Sequence, residues 1–428
     1  MKPTSAPKPG DARYRRYTAI VLLASLLLKI VLVLAHGQAY NYHSDDQGYL
    51  ESARIWLETG LFTYNDPTRP TLFITPALPG FLALLMKLLG PGVMLEQTVR
   101  VLQAVMVTAA LGVLYAIGRR LFGERIAYWA VLLCAWYPPL WLVSNFIFTE
   151  ALFTLALLLL VYAALRAQET PTLRWALLFG LIWAAATYIR PTIALWPGVF
   201  FALLLIWRRV PWSRLVRSGL VAAVVFVLCF APWWVRNYHV SGGHFVPLTQ
   251  AGGNPLLLGT YPYTVPALFL EEQRTWHTSS DLRVNDAQDT ERAKERIRSG
   301  FRDSFWTYAS WYTVGKFALF WGDVFYWMPI PGIPLAVAVL YHYALLIPGF
   351  IGAWRLRRDR GALLLLSLMG YMSLLHMIYL AHSRYSVPLI PLVALFAAAQ
   401  FEQWRRKRGD DGAKASTSPA LSNPSPGS

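Results

Sequence analysis

Charge is what this sequence has least of. Only 14% of its 428 residues are Asp, Glu, Lys or Arg, against about 25% in an ordinary soluble domain. Cysteine is nearly absent as well. The two present, Cys134 and Cys229, sit inside apolar runs, which leaves neither a disulfide framework nor metal-ligand spacing. The chain has no phosphate-binding P-loop, no dinucleotide fingerprint, no HExxH pair and no internal repeat. Those absences argue against ATP-driven and NAD-dependent work.

What fills the chain instead is apolar residue, 56% of the total, with a mean hydropathy of +0.39. Runs at 17–35, 149–165, 192–207, 218–234, 332–353, 361–380 and 386–402 approach or reach the roughly 20 residues that cross a bilayer. Further helices are expected near 100–118, 126–143 and 174–189. The pattern predicts an all-α polytopic membrane protein with about ten spans. Two more apolar stretches, 72–90 and 309–328, do not fit as simple crossings. The first carries Pro76, Pro79 and Gly80, which break a regular helix. Both are read as interfacial or re-entrant, and paired crossings would raise the count to twelve.

The net charge of +16 would suit nucleic acid, but its placement does not. Basic residues cluster between apolar runs, in RYRR (13–16), GRRLFGER (118–125), 207–217, WRLRRDR (354–360) and WRRKR (404–408). That is the positive-inside pattern, so the partner implied is membrane lipid and not nucleic acid. It divides the chain into a cytoplasmic basic tail (1–16), a membrane-embedded region (17–402) and a second cytoplasmic tail (403–428). The polar, Pro-containing end of that tail, 409–428, reads as disordered. The first run is longer than a signal-peptide core and lacks a clean cleavage site, which makes it a retained first helix of an inner-membrane protein. Two long segments, 36–99 and 235–310, then lie outside, and the polar chemistry gathers there.

In HSDDQGYLESARIWLETG (43–60) Ser44 and Gln47 have capping-box spacing, and Tyr49, Ala53 and Trp56 share one face of a surface helix. Asp45 and Asp46 occupy its first turn, where negative charge is favoured by about 0.3–1 kcal/mol each. They either cap the helix or carry chemistry; a carboxylate so placed suits a base or a cation ligand better than an acid. Arg190 closes TYIRP (187–191) and Arg384 and Tyr385 lie in HSRYSVP (382–388), all at the outer face. Arg236 and Lys316 are also outside or near the interface. Such arginines either snorkel or bind an anionic head group bidentately. Glu150, in SNFIFTE (144–150), begins a span on the same side, as a cap or as a second acid beside Asp45.

Six short motifs, taken in order, resemble the bacterial protein O-mannosyltransferase and aminoarabinose-transferase superfamily, glycosyltransferases of the GT-C fold. They are DDQGYLESARIWLETG, RPTLFITPALPGFLALLMKLLG, the stretch 114–152, TYIRP, the stretch 231–262 and HSRYSVPLIPLVALF, together covering roughly 17–402. The resemblance implies transfer of a sugar from a polyprenyl-phosphate donor to an acceptor (protein, lipid or polysaccharide) at the external face, with inversion. It implies Asp45 as general base, with Asp46 as the second acid where the family commonly has Glu, and Glu150 as a further acid. The family's phosphate-binding lysine is missing from FITP (73–76), where Thr75 stands nearest. Donor phosphate binding then falls to Arg69, Arg190, Arg236, Arg384 and Tyr385. Some members of the fold use a divalent cation, and no ligand set for one is evident. The alternative is a transporter or flippase of lipid-linked sugars, which would want polar groups near mid-span; Lys29 and Gln103 are modest exceptions in spans otherwise nearly free of them.

Overall fold

The computed structural model describes residues 11–416 apart from 65, 208–210, 265–268, 278 and 280. Helix α1 (Asp11–His36) leads to a short surface helix, α2 (Asp45–Thr59), which ends at Gly60 with φ 75°. Glycine suits that left-handed position because it has no Cβ to clash. Helix α3 (Ala77–Leu89) packs on α2 and, at 13 residues, is too short to span. Next come α4 (Val93–Leu121), α5 (Glu124–Ala135), α6 (Pro138–Asn145), α7 (Glu150–Glu169), α8 (Leu173–Ile189), α9 (Trp196–Trp207) and α10 (Trp212–Val240). The large loop holds α11 (Gly253–Leu258), α12 (Phe269–Trp276) and the charged α13 (Leu282–Asp303). A π-turn at Trp311–Gly315 joins α14 (Phe305–Ser310) to α15 (Lys316–Gly322). The chain closes with α16 (Leu335–Arg355), α17 (Arg360–Ile378), the single turn α18 (Ser383–Ser386) and α19 (Ile390–Ser416).

Among the described residues seven helices are long and apolar enough to cross a membrane, and α5 with α6 makes an eighth if that pair, bent by 60°, is one span. The remaining two of the ten expected spans are the shorter apolar helices α8 and α9. The bend falls at Tyr137–Pro138–Pro139, where proline removes backbone donors and drives the preceding residue extended. The stretch 309–328 is displaced from its expected bounds. Helix runs from Phe305 to Gly322 with the π-turn inside it, and no span is recognised there. The tail differs too: α19 continues through 409–416, because no proline interrupts the helix before Pro419. Residues 417–428 lie outside the described residues.

The first turns of α19 form the axis of the bundle, buried on every side from Ile390 to Gln400, as expected of a helix apolar all round. Gly349 and Gly352 let α16 lie against it, since a Cβ on either would overlap Val393 or the Phe396 carbonyl. Leucines such as Leu23, Leu34, Leu220 and Leu340 remain exposed on the outer helices, the surface a bilayer would cover.

The two ends of the bundle differ. At one, ion pairs tie the basic clusters together: Arg15 to Glu124 at 3.0 Å, Arg120 to Glu169 at 2.8 Å and Arg125 to Glu402 at 3.3 Å. At the other, the two long loops meet, with the Gln250 amide donating to the Leu72 carbonyl at 2.7 Å and the Trp233 indole to the Leu248 carbonyl at 2.9 Å.

Candidate active site

The turn before α2 is shaped by Asp46. Its buried carboxylate accepts from the backbone amides of Tyr42 (2.6 Å), Ser44 (2.9 Å) and Gln47 (3.0 Å). The expected capping box is therefore not formed. Ser44 makes no side-chain cap, and Gln47 reaches His43 at 2.8 Å. With Asp46 holding the turn, Asp45 projects the other way, and Tyr64 donates to its Oδ1 at 3.4 Å. Gly48 makes room for that ring, since a Cβ there would stand 2.8 Å from it.

Three segments far apart in sequence come together near Asp45, and one of them, α18, bonds it. Proline at 191 ends α8 and leaves Arg190 extended, so its side chain turns to the start of α7. There Arg190 donates to Thr149 Oγ1 at 2.8 Å and to Glu150 Oε1 at 2.5 Å. Glu150 is buried in the first turn of α7, where the helix dipole favours its charge. Arg384, on the single turn α18, donates Nε to the same Glu150 oxygen and Nη1 to Asp45 Oδ2 at 2.6 Å. Its guanidinium lies 4.0 Å from the Phe148 ring centroid. The result is a chain of alternating charges, Asp45–Arg384–Glu150–Arg190, of which Asp45 alone is substantially exposed, at 39% of its side chain.

This chain borders a cavity of about 470 Å³. Its walls come from α2, residues 73–75, the 190–195 turn, the large loop and the ends of α17 and α18. Asp45, Arg190, Arg384 and Tyr385 line it together with Thr75, and Glu150 stands behind the arginines. Apolar side chains, among them Ile74, Leu195, Leu248 and Leu375, make up much of the rest. Tyr49 faces the cavity and Tyr64 lies behind Asp45; burial first, and then the Asp45 charge, hold both phenols well above the usual tyrosine range.

Three of the expected site residues lie elsewhere. Asp46 is consumed by backbone amides and does not line the cavity. Arg69 is on the surface, 3.9 Å from Asp66 and beside a separate hollow. Arg236 is spent on Asn237 at 3.0 Å and on the faces of Trp233 and Phe62. Sequence pattern also did not single out two polar residues of the wall, Thr192 and His376. For His376 a signal was available: an ionisable ring inside the apolar run 361–380.

Among the described residues no three His, Cys, Asp or Glu side chains converge as a metal site. The Arg384 guanidinium bonds both Asp45 and Glu150, so it already occupies the place between the two carboxylates where a divalent cation would bind. The residues as arranged do not fit one. What they offer is a partly exposed carboxylate beside two arginines, at the edge of a largely apolar cavity.

Comparison with known proteins follows the same lines. The family described as dolichyl-phosphate-mannose-protein mannosyltransferase matches residues 73–235, a stretch that includes Glu150 and Arg190 and stops short of Asp45 and Arg384. No curated protein sequence matches the chain. Among solved structures, the oligosaccharyltransferase AglB from Archaeoglobus fulgidus, in complex with an inhibitory peptide and a dolichol-phosphate, is similar with a TM-score of 0.57 at 14% identity, over 93% of this chain and 52% of that one. ArnT from Cupriavidus metallidurans bound to undecaprenyl phosphate has a TM-score of 0.53 at 16% identity, over 91% of this chain and 63% of that one. The chain thus spans about half the length of the archaeal enzyme. The fold is that of the GT-C glycosyltransferases, in keeping with the resemblance that the sequence motifs carry.

Proposed function

We propose that this multi-pass membrane protein, built on the GT-C fold, is a glycosyltransferase. It moves a sugar from a polyprenyl-phosphate donor to an acceptor hydroxyl at the external face, with inversion at the anomeric carbon. The observation that carries this reading is the joint placement of Asp45, Arg190 and Arg384 on one cavity at the loop end of the bundle. Positive-inside orientation puts the opposite, basic end in the cytoplasm, and hence the cavity outside.

In this reading the phosphodiester lies against Arg190 and Arg384, with Tyr385 beside them, and the apolar wall takes the first isoprene units. Guanidinium groups suit a phosphate because they donate in a planar fork. The acceptor oxygen attacks the anomeric carbon and its proton passes to Asp45. The bond from that carbon to the phosphate oxygen breaks, and the electron pair leaves with the polyprenyl phosphate, whose growing charge the arginines stabilise. In the free protein Arg384 holds Asp45. An arriving phosphate competes for that guanidinium and so releases the carboxylate to act as base.

Asp45→Asn tests the assignment. Transfer of labelled sugar from a polyprenyl-phosphate donor, measured in detergent, should fall by about 10²- to 10⁴-fold, the usual worth of a general base. The variant should unfold at the wild-type temperature, because Arg384 keeps Glu150. Near-normal transfer by a folded variant sinks the base assignment.

A further inference from the structure

Two polar atoms in the cavity wall have no partner. Among the described residues, Nε2 of His376 and Oγ1 of Thr192 are the buried polar side-chain atoms of this cavity that form no hydrogen bond. Both lie on the wall between the 190–195 turn and α17, where Tyr371 ties the two segments by donating to the Thr192 carbonyl at 2.7 Å.

The setting of His376 fixes what that free atom can do. The residue is 5% exposed. Tyr385 stacks on its ring at 4.7 Å and 16°, and Phe320 at 5.1 Å and 21°. Nδ1 lies 3.0 Å from the Leu380 carbonyl. A carbonyl only accepts, so Nδ1 carries a proton, which in the neutral imidazole leaves Nε2 as a lone pair. With its flanks stacked and Nδ1 engaged, Nε2 is the polar atom of the ring left buried and without a partner, on a residue that lines the cavity. A buried acceptor without a donor is unfavourable. A rigid one, locked by stacking, is suited to recognise a hydrogen-bond donor of a ligand, such as a hydroxyl.

The phosphate site is close by. Arg190 lies 5.4 Å from the centroid of Tyr385, the same ring that stacks on His376, so the arginine and the imidazole pack against one side chain of the cavity wall. We infer that His376, with Thr192 on the same cavity wall, forms the subsite that recognises the transferred sugar, Nε2 accepting a hydrogen bond from one of its hydroxyls. This inference rests on the donor reading above and adds the part of the donor that the arginines do not contact. Its chemistry is selective: an acceptor-only contact favours a neutral hydroxyl, and a phosphate oxygen has no proton to offer it.

The experiment measures binding and needs no acceptor. The full-length protein in detergent is titrated with undecaprenyl phosphate, with undecaprenyl-phosphoryl-mannose and with undecaprenyl-phosphoryl-glucose. His376→Phe keeps a ring between Tyr385 and Phe320 and removes the lone pair. It should bind undecaprenyl phosphate within twofold of wild type and bind the preferred sugar-carrying lipid about tenfold more weakly. His376→Gln, which returns an acceptor oxygen near the Nε2 position, should recover most of that loss. Thr192→Val should show a smaller drop confined to the sugar-carrying lipids. If H376F weakens all three ligands equally, or none of them, the subsite is overturned while the donor reading stands. If the wild-type protein binds none of the three, the donor reading falls and the subsite with it.

Discussion

The two ends of the bundle solve the same electrostatic problem in opposite ways. At the basic end Glu402 is met by Arg125, Arg405 and Arg406 at 3.3, 2.9 and 3.0 Å, and those arginines keep 36%, 56% and 70% of their side chains exposed. Water is always an alternative partner there, so such pairs contribute about 0–1 kcal/mol each. At the loop end Glu150 is met by Arg190 and Arg384, each about one-tenth exposed. Water is not an alternative, and a guanidinium deprived of its carboxylate would be left buried with its charge. The comparison teaches what each end is for. The basic end orients the chain and ties helices; the loop end stores positive charge in a place from which only another anion can draw it.

The sharpest way to break that contrast is to remove each carboxylate in turn. Glu150→Gln should lower stability by about 3–5 kcal/mol, the cost of breaking a buried pair, and thermal unfolding in detergent should register it as a large fall in midpoint. Glu402→Gln should cost about 1 kcal/mol, since its arginines turn to solvent. Equal losses at the two ends would erase the distinction between stored and solvated charge.

Keeping the charge and changing only its geometry is the next test. Arg190→Lys and Arg384→Lys retain a cation but lose the planar fork. Each should raise the KM for a polyprenyl-phosphate-sugar by about 10- to 100-fold, the range of one charge-assisted hydrogen bond, with stability reduced less than by E150Q. Arg69→Ala, beside its separate hollow, should change that KM by less than about twofold. A large effect at Arg69 would mean that the donor phosphate lies outside the cavity described.

Much of this was legible in the sequence, and the reason is scarcity. In a chain with so little charge, each apolar run declares a helix, and all ten expected spans correspond to helices here, though two are short and one is bent. The same scarcity made Arg190 and Arg384 conspicuous, because basic residues at the loop end depart from the positive-inside pattern, while Asp45 and Glu150 stood out by their place at helix N-termini and by the family resemblance. What sequence could not do was separate arginines by the side of a helix on which they lie. Arg190 follows the last residue of α8 and Arg236 lies in the last turns of α10; one turns into the cavity, and the other is spent on Asn237 and two aromatic faces. Asp46 illustrates the converse. Its neighbour's exposure depends on a turn whose backbone amides only the folded chain brings to one carboxylate.

A third kind of cation lies between the two extremes. Lys316, in α15 and outside the spanning helices, is fully buried, with no carboxylate partner among the described residues. It donates to the carbonyls of Ile378 at 3.2 Å and Tyr379 at 2.8 Å, and it sits 3.9 Å from the centroid of Tyr312. Burial lowers its pKa from 10.5 to about 7. Between those values the unfolded chain holds a proton that the folded chain has released, so stability rises with pH across that window. Below about pH 7 both states are charged and the cost of burial is present in full; near pH 10.5 it has gone. The slope from this one group is at most about 1.4 kcal/mol per pH unit. Lys316→Met removes the titration and leaves every other group in place. The difference in unfolding midpoint between wild type and K316M should therefore shift in favour of wild type as pH rises from 7 to 9. A difference that stays constant over that range would mean that Lys316 remains protonated in the fold, held by its two carbonyls and Tyr312 as firmly as Arg384 is held by its carboxylates.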